Sequence, residues 1–210
     1  MKSAIDNLLL DPHGILYEEP YRLLHDEMRD TVQASTLLSI IGNGANKMSE
    51  IAARAEKAAT EISAQLNKLR DLGFIIRQLP YGEDEKKSRK GIYVVSDHLF
   101  RFHYRFVSPY ISFIELGKQD VIHSVIESQF SQYVGQFWEE LCRDFVCGNM
   151  IDNILYTKGS RWWGMLTDGT MAELDVVAES LDRKHLLIGE CKWTRKENTE
   201  ALTKRLNDIA

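Results

Sequence analysis

The sequence lacks most of what marks a membrane, secreted or ATP-hydrolysing protein. It has no uncharged run of 18 or more residues, which excludes an apolar bilayer span. Its opening stretch, MKSAIDNLLLDPHG, carries two aspartates where a signal peptide needs an apolar core. Cysteine is scarce: Cys142, Cys147 and Cys191 are an odd number at no zinc-finger spacing, and read as reduced packing residues of a cytoplasmic protein. Positive charge is not in excess either, with 26 Lys and Arg against 31 Asp and Glu, so any surface for nucleic acid must be local. No G-x-x-x-x-G-K-[ST] occurs, and GNGANK has neither that spacing nor a preceding strand, so the chain is expected to have no ATP site. Internal repeats and low-complexity segments are absent. What remains is an ordinary composition, 44% hydrophobic and 27% charged over 210 residues, enough for one large domain or two small ones.

The first half has the order of a winged helix-turn-helix domain, expected over residues 1–97. EPYRLLHDEMRD and TVQASTLLSIIGNG show helical apolar spacing that ends in a Gly-Asn-Gly turn. KMSEIAARA is a short second helix with Ser49 at its cap or first turn. AATEISAQLNKLRDLG is a third, with Ile62, Leu66, Leu69 and Leu72 as its stripe and Gly73 just past its end. Two β-rich runs, FIIRQLP and GIYVVSD, flank the polar loop YGEDEKKSRK. Away from its leucines the third helix presents Ser63, Gln65, Asn67 and Lys68, side chains suited to base edges and phosphates. Lys86, Lys87, Arg89 and Lys90 could follow a phosphate backbone. From Lys57 to Lys90 there are eight Lys and Arg against five Asp and Glu. DNA is thus one candidate partner. A solvated loop on a domain that binds protein is the other, since Glu83, Asp84 and Glu85 adjoin the basic run.

Residues 98–124 read as a helical connector. Aromatic and basic residues alternate from Phe100 to Phe106, a pattern that serves either base stacking or packing. Packing is favoured, because Phe102 and Phe106 share one helical face, with Arg101 and Arg105 on another. Pro109 then ends or kinks the segment.

Residues 125–210 form the second expected domain. VIESQFSQYVGQFWEELCRDFVCG is a long helix with Phe130, Val134, Phe137, Leu141 and Phe145 as its main core stripe. Glu140 lies with Gln136 and Arg143 on a strip expected to be solvated. Glu139 instead shares a strip with Gly135, Cys142 and Val146, where a carboxylate needs a partner.

Three candidate strands follow: RWWGM, ELDVVA and LLIGECKW. Alternation places Glu173, Asp175 and Val177 on one face of the second, and Ile188, Glu190 and Lys192 on one face of the third. A hairpin between them brings Asp175 beside Glu190 and Lys192. Two carboxylates so close repel unless a cation intervenes, and oxygen ligands with room for water suit magnesium or manganese. Such an ion would polarise a phosphoryl oxygen while Lys192 orients water or stabilises developing charge. An exposed Glu-x-Lys ion pair is the plain structural alternative.

The order helix-Glu, strand-Asp, strand-Glu-x-Lys resembles the PD-(D/E)XK nuclease superfamily. More closely, the chain resembles the C-terminal part of the archaeal-type DEXX-box ATPase family, in which a P-loop ATPase precedes a winged helix and a nuclease-like domain. The resemblance rests on GNGANKMSEIA, QLNKLRDLGFIIRQLPYGE, FRFHYRFVSPY, YVGQFWEELCRDF, ELDVVA and GECKW. It implies an α+β chain with a restriction-endonuclease-like second domain. Its catalytic residues would be Glu139, Asp175, Glu190 and Lys192, with the metal on Asp175 and Glu190. His103 stands where the family pattern has tryptophan. The chain ends in ALTKRLNDIA before a further strand that this core would contain, which points to an incomplete domain or to a strand from another chain. An unpaired sheet edge would favour self-association, and a homodimer or an ATPase partner chain are the candidate assemblies. Two functions follow: a DNA-associated, metal-dependent deoxyribonuclease, or a non-catalytic regulatory or protein-interaction module on a nuclease-like scaffold.

Overall fold

A computed structural model describes residues 2–194 and 199–209. The fold is α+β with small antiparallel sheets. The chain divides into two compact units, Met1–Gln78 with Lys90–Ile126, and Leu79–Arg89 with Glu127–Ala210. This grouping has no separate connector between the expected domains 1–97 and 125–210. The 98–124 segment packs within the first unit, and the 79–89 loop belongs to the second, where the Tyr81 N–H donates to the Arg161 carbonyl at 2.7 Å.

The first unit holds α1 (Lys2–Leu9), α2 (Glu19–Glu27), α3 (Thr31–Gly42), α4 (Met48–Arg54) and α5 (Ala59–Asp71), then the hairpin of β1 (Ile75–Gln78) and β2 (Ile92–Val95). Helix α3 starts where the Asp30 carboxylate accepts from the Gln33 N–H at 3.1 Å, and ends at the Gly-Asn-Gly turn with Gly44 at φ +94°. Gly42 lets the 103–107 turn approach α3, since a Cβ there would lie 3.0 Å from Tyr104 Cβ. At the start of α4 the Glu50 carboxylate accepts from the Asn46 and Lys47 N–H groups, and Ser49 is a first-turn residue. On α5, Ile62, Leu66 and Leu69 are wholly buried, each contributing roughly 1.5–3 kcal/mol. Leu72, expected in the same stripe, is exposed because it is the C-cap, one residue before Gly73 turns the chain at φ +80°.

The aromatic-basic run is packed. The Asp97 carboxylate caps α6 (His98–Phe102), a π-helical turn covers His103–Val107, a 3-10 turn containing Pro109 covers Ser108–Tyr110, and α7 is Ile111–Glu115. Phe100 and Tyr104 join the core that contains Leu37 and Leu66, and Phe106 is also fully buried, so these rings are not free to stack on bases. Phe102 and Phe106 lie 5.2 Å apart. Arg101 is buried too, and its Nε–H donates to the Val95 carbonyl at 2.5 Å.

Helix α8 (Gln119–Val146) contributes Ile122 and Ile126 to the first unit and everything after Ile126 to the second. The second unit adds the short ladder of β3 (Met150–Ile151) with β4 (Ile154–Leu155). It also holds an antiparallel sheet, ordered β5 (Ser160–Met165), β6 (Met171–Glu179), β7 (Leu186–Gly189), and α9 (Thr199–Ile209). The expected stripe of α8 is corrected here: Leu141 is 59% exposed and Phe145 61%. The packed face carries Cys142 and Val146, which meet Tyr156, Val176, Ala178 and Cys191, and Arg143, placed on a solvated strip by the sequence, is buried. Gly159 permits this approach, because a Cβ there would lie 2.8 Å from the Arg143 carbonyl oxygen. Among the described residues no helix is long and apolar enough to cross a membrane.

Candidate active site

The register of the sheet builds the site. Strands β6 and β7 pair Val177 with Ile188 and end their ladder at Val176 with Gly189, and just beyond it the Cys191 N–H bonds the Asp175 carboxylate, which brings Asp175 within electrostatic reach of Glu190. On the other side, β5 and β6 pair Ser160 with Val177 and Trp162 with Leu174. Between these pairs β5 has one residue, Arg161, and β6 has two, Asp175 and Val176. This is a β-bulge, a device that re-aims a side chain and breaks alternation. Leu174 through Ala178 are accordingly all buried, Asp175 among them at 7% exposure.

Asp175 is held at both ends. Its Oδ2 accepts from the Cys191 N–H at 2.8 Å, and its carbonyl accepts from Arg143 Nη1 at 2.9 Å. Burial pushes its carboxyl pKa up, and Glu190 adds to that, against the Cys191 hydrogen bond and the charges of Lys192 and Arg161. Glu139, half-buried on α8, behaves alike: desolvation raises its pKa, Asp175 raises it further, and Arg161 and Arg143 oppose. Its Oε2 lies 3.9 Å from Arg143 Nη1, which supplies the partner that a buried carboxylate requires.

Glu190 and Lys192 follow the end of β7 rather than lying within it, so the third strand is shorter than expected. The Glu190 side chain is almost fully covered, and its Oε1 accepts from Lys192 Nζ and, at 3.1 Å, from Arg205 Nη1 of α9. The hydrogen bond to Glu190 raises the Lys192 pKa and keeps the ammonium charged. All four predicted catalytic residues therefore fall in one unit and interact, Glu139 through Asp175, Asp175 through Glu190, and Glu190 through Lys192.

The donor chemistry fits a hard divalent cation. Asp175 and Glu190 are neighbouring carboxylates, and a cation between them would offset the burial that chiefly raises the Asp175 pKa and the Glu190 charge that adds to it. Among the described residues no three His, Cys, Asp or Glu stand together as a ready ligand set, so water would complete the coordination. Sequence reasoning missed Arg143, Arg161 and Arg205. Arg143 had a usable signal, its position four residues after Glu139. Arg161 depends on a bulge and Arg205 on how α9 folds back, neither of which local periodicity records.

The nucleic-acid candidates are divided between the units. On α5, Asn67 and Lys68 are exposed and Ser63 and Gln65 partly so. Lys90 lies in the first unit, whereas Lys86, Lys87 and Arg89 lie in the second, all four exposed. Asp84 shapes that loop, its Oδ1 accepting from the Lys86 and Lys87 N–H groups at 2.8 and 3.2 Å.

Residues 103–203, which include all four site residues, match the DUF234 family model, described as archaeal and bacterial proteins of unknown function. The chain is also 28% identical over 174 residues to an uncharacterised protein of Methanocaldococcus jannaschii. That alignment covers 81% of this chain and 38% of the relative, so the chain spans well under half of the longer protein. These similarities are consistent with a member of that family. No solved structure matches the chain.

Proposed function

We propose that the chain is a DNA-associated protein combining a winged-helix module with a PD-(D/E)XK-type, magnesium- or manganese-dependent nuclease site. One observation carries this reading: Asp175, bonded by the Cys191 N–H, and the covered Glu190 side chain act on each other electrostatically, with Lys192 bound to Glu190 and Glu139 electrostatically coupled to Asp175. Structural ion pairs seldom bury two neighbouring carboxylates, since each pays a desolvation cost that an exposed pair avoids.

Asp175 and Glu190 would hold the cation. A divalent ion bound there supplies polarisation of a phosphoryl oxygen and acidification of water. Lys192 then presents its ammonium to the charge that develops as the phosphodiester opens, and in doing so leaves Glu190 to Arg205. Glu139, with its raised pKa, is suited to accept a proton at a carboxylate oxygen from the attacking water. Exposed Asn67 and Lys68 of α5 and the basic 86–90 segment support contact with DNA.

The two cations on Glu190 Oε1 favour a second reading, in which an ion-paired scaffold persists without catalysis. Incubation of plasmid and single-stranded DNA with magnesium or manganese separates the two. Hydrolysis requires metal-dependent cutting that Asp175→Ala and Lys192→Ala both abolish. Absence of cutting, or cutting that survives both substitutions, leaves the binding module.

A further inference from the structure

Arg161 has no part in the hydrolysis described so far, yet three observations single it out. It is the lone β5 residue facing the Asp175–Val176 bulge, and its backbone is fixed there by the hydrogen bond from Tyr81. Its Nη2 donates to one oxygen of Glu173, a side chain that is itself 47% exposed. Its Nε–H is buried with no acceptor among the described residues.

An arginine kept only for the Glu173 ion pair would gain by turning both donors of that edge to the carboxylate, because the guanidinium fork fits two oxygens side by side. Here one donor of the edge is engaged and its neighbour is left without an acceptor. Buried donors are paired in the great majority of cases, and an orphan next to a candidate catalytic centre marks a position for a missing acceptor. That acceptor must be anionic, must offer two oxygens, and must be able to displace a loosely held carboxylate. A phosphodiester has this form.

We propose that Arg161 binds the substrate's phosphate: its Nε–H and Nη2–H take the two non-bridging oxygens, and Glu173 is released to solvent. This rests on the nuclease reading for the identity of the phosphate, and it adds a binding residue to that site. Glu173 becomes a placeholder that keeps the guanidinium at the bulge until substrate arrives.

The test follows the arginine Nε–H resonances of the full chain by ¹⁵N NMR, with the Arg161 signal assigned by its loss in Arg161→Lys. The probes are a short phosphorothioate oligothymidylate, its neutral methylphosphonate counterpart and inorganic phosphate. The expected result is a downfield shift of the Arg161 signal with the charged oligonucleotide and none with the neutral one. Arg161→Lys, which keeps the charge but not the fork, should weaken binding about tenfold, and Glu173→Gln should tighten it about twofold. If inorganic phosphate alone produces the shift in a protein that does not cut DNA, the anion site stands and the nuclease reading falls. If the wild type cuts DNA while the signal stays still and Arg161→Lys binds equally well, the Arg161 proposal is overturned and the nuclease reading stands. A wild type that neither cuts nor shows any shift overturns both. Should Arg161→Lys fail to fold, sequential backbone-to-side-chain assignment of the wild type identifies the Arg161 signal, and its shift together with Glu173→Gln still decides.

Discussion

The two units bury different things. The core of the first is aliphatic and aromatic, built from Leu24, Leu37, Leu38, Ile62, Leu66 and their neighbours, with Arg101 and His103 as its buried polar side chains. In the second, Asp175, Arg143 and the Glu190 side chain are as well covered as the small apolar cluster around Val176, while Leu141 and Phe145 face solvent. A chain selected only for stability would do the reverse on α8, because an apolar side chain gains by burial and a charge loses. The first unit is built around an apolar core. The second gives up apolar burial on α8 while covering charged side chains.

The largest effect that sharpens this contrast is Leu66→Ala. It removes a wholly buried side chain from the first unit and should cost about 3–4 kcal/mol in urea denaturation followed by far-UV circular dichroism. A loss below about 1 kcal/mol would show that this core is not close-packed.

Acid should then divide the units. His103 is buried between the rings of Tyr21 and Tyr104, and burial lowers its pKa from 6.5 to about 4. The native state takes up that proton less readily than the unfolded chain, so its stability is full above pH 6.5 and is lost as pH falls toward 4. The loss amounts to about 3 kcal/mol, and His103→Phe should remove it. Glu139 and Asp175 have the opposite sign. Their folded pKa values are raised, so the native second unit binds protons more readily and gains stability as pH falls from neutral through those values. Asp175→Asn should therefore stabilise the second unit at neutral pH and give no gain in acid below the usual carboxylate range. The readout exists already, since Trp138, Trp162, Trp163 and Trp193, all the tryptophans of the sequence, lie in the second unit and their fluorescence reports it alone.

Smaller effects come from α8. Arg143→Met leaves the Asp175 carbonyl without its guanidinium donor and Glu139 without its ion-pair partner at 3.9 Å, and should cost about 2 kcal/mol by the same fluorescence. Phe145→Ala, two residues on and 61% exposed, should change stability by less than about 0.5 kcal/mol. If Phe145→Ala proved the more damaging of the two, the expected apolar stripe would be the true packing face.

What the sequence disclosed follows the same division. Helices α3, α4 and α5 and the β1–β2 hairpin lie where apolar spacing and glycine turns put them, because an aliphatic core obeys a simple period. The failure on α8 has a physical cause. Periodicity assigns the bulkiest apolar residues to the core, whereas this helix packs through Cys142, Arg143 and Val146. Glu139 was still legible, as a carboxylate sharing a strip with small and apolar residues. That Asp175 and Glu190 come close enough to act on each other could be anticipated from strand alternation, whereas the end of β7 at Gly189 could not. The bulge could not, because it arises from a register shift against β5, and with it Arg161 stayed hidden.

In the reading proposed above, Asp175 and Glu190 together hold a divalent ion. Manganese titration followed by electron paramagnetic resonance tests it most directly, comparing the wild type with Asp175→Asn and Glu190→Gln. The expected result is stoichiometric binding by the wild type, lost in both variants while their tryptophan fluorescence stays native. Manganese bound equally by all three proteins, or by none of them, would contradict it.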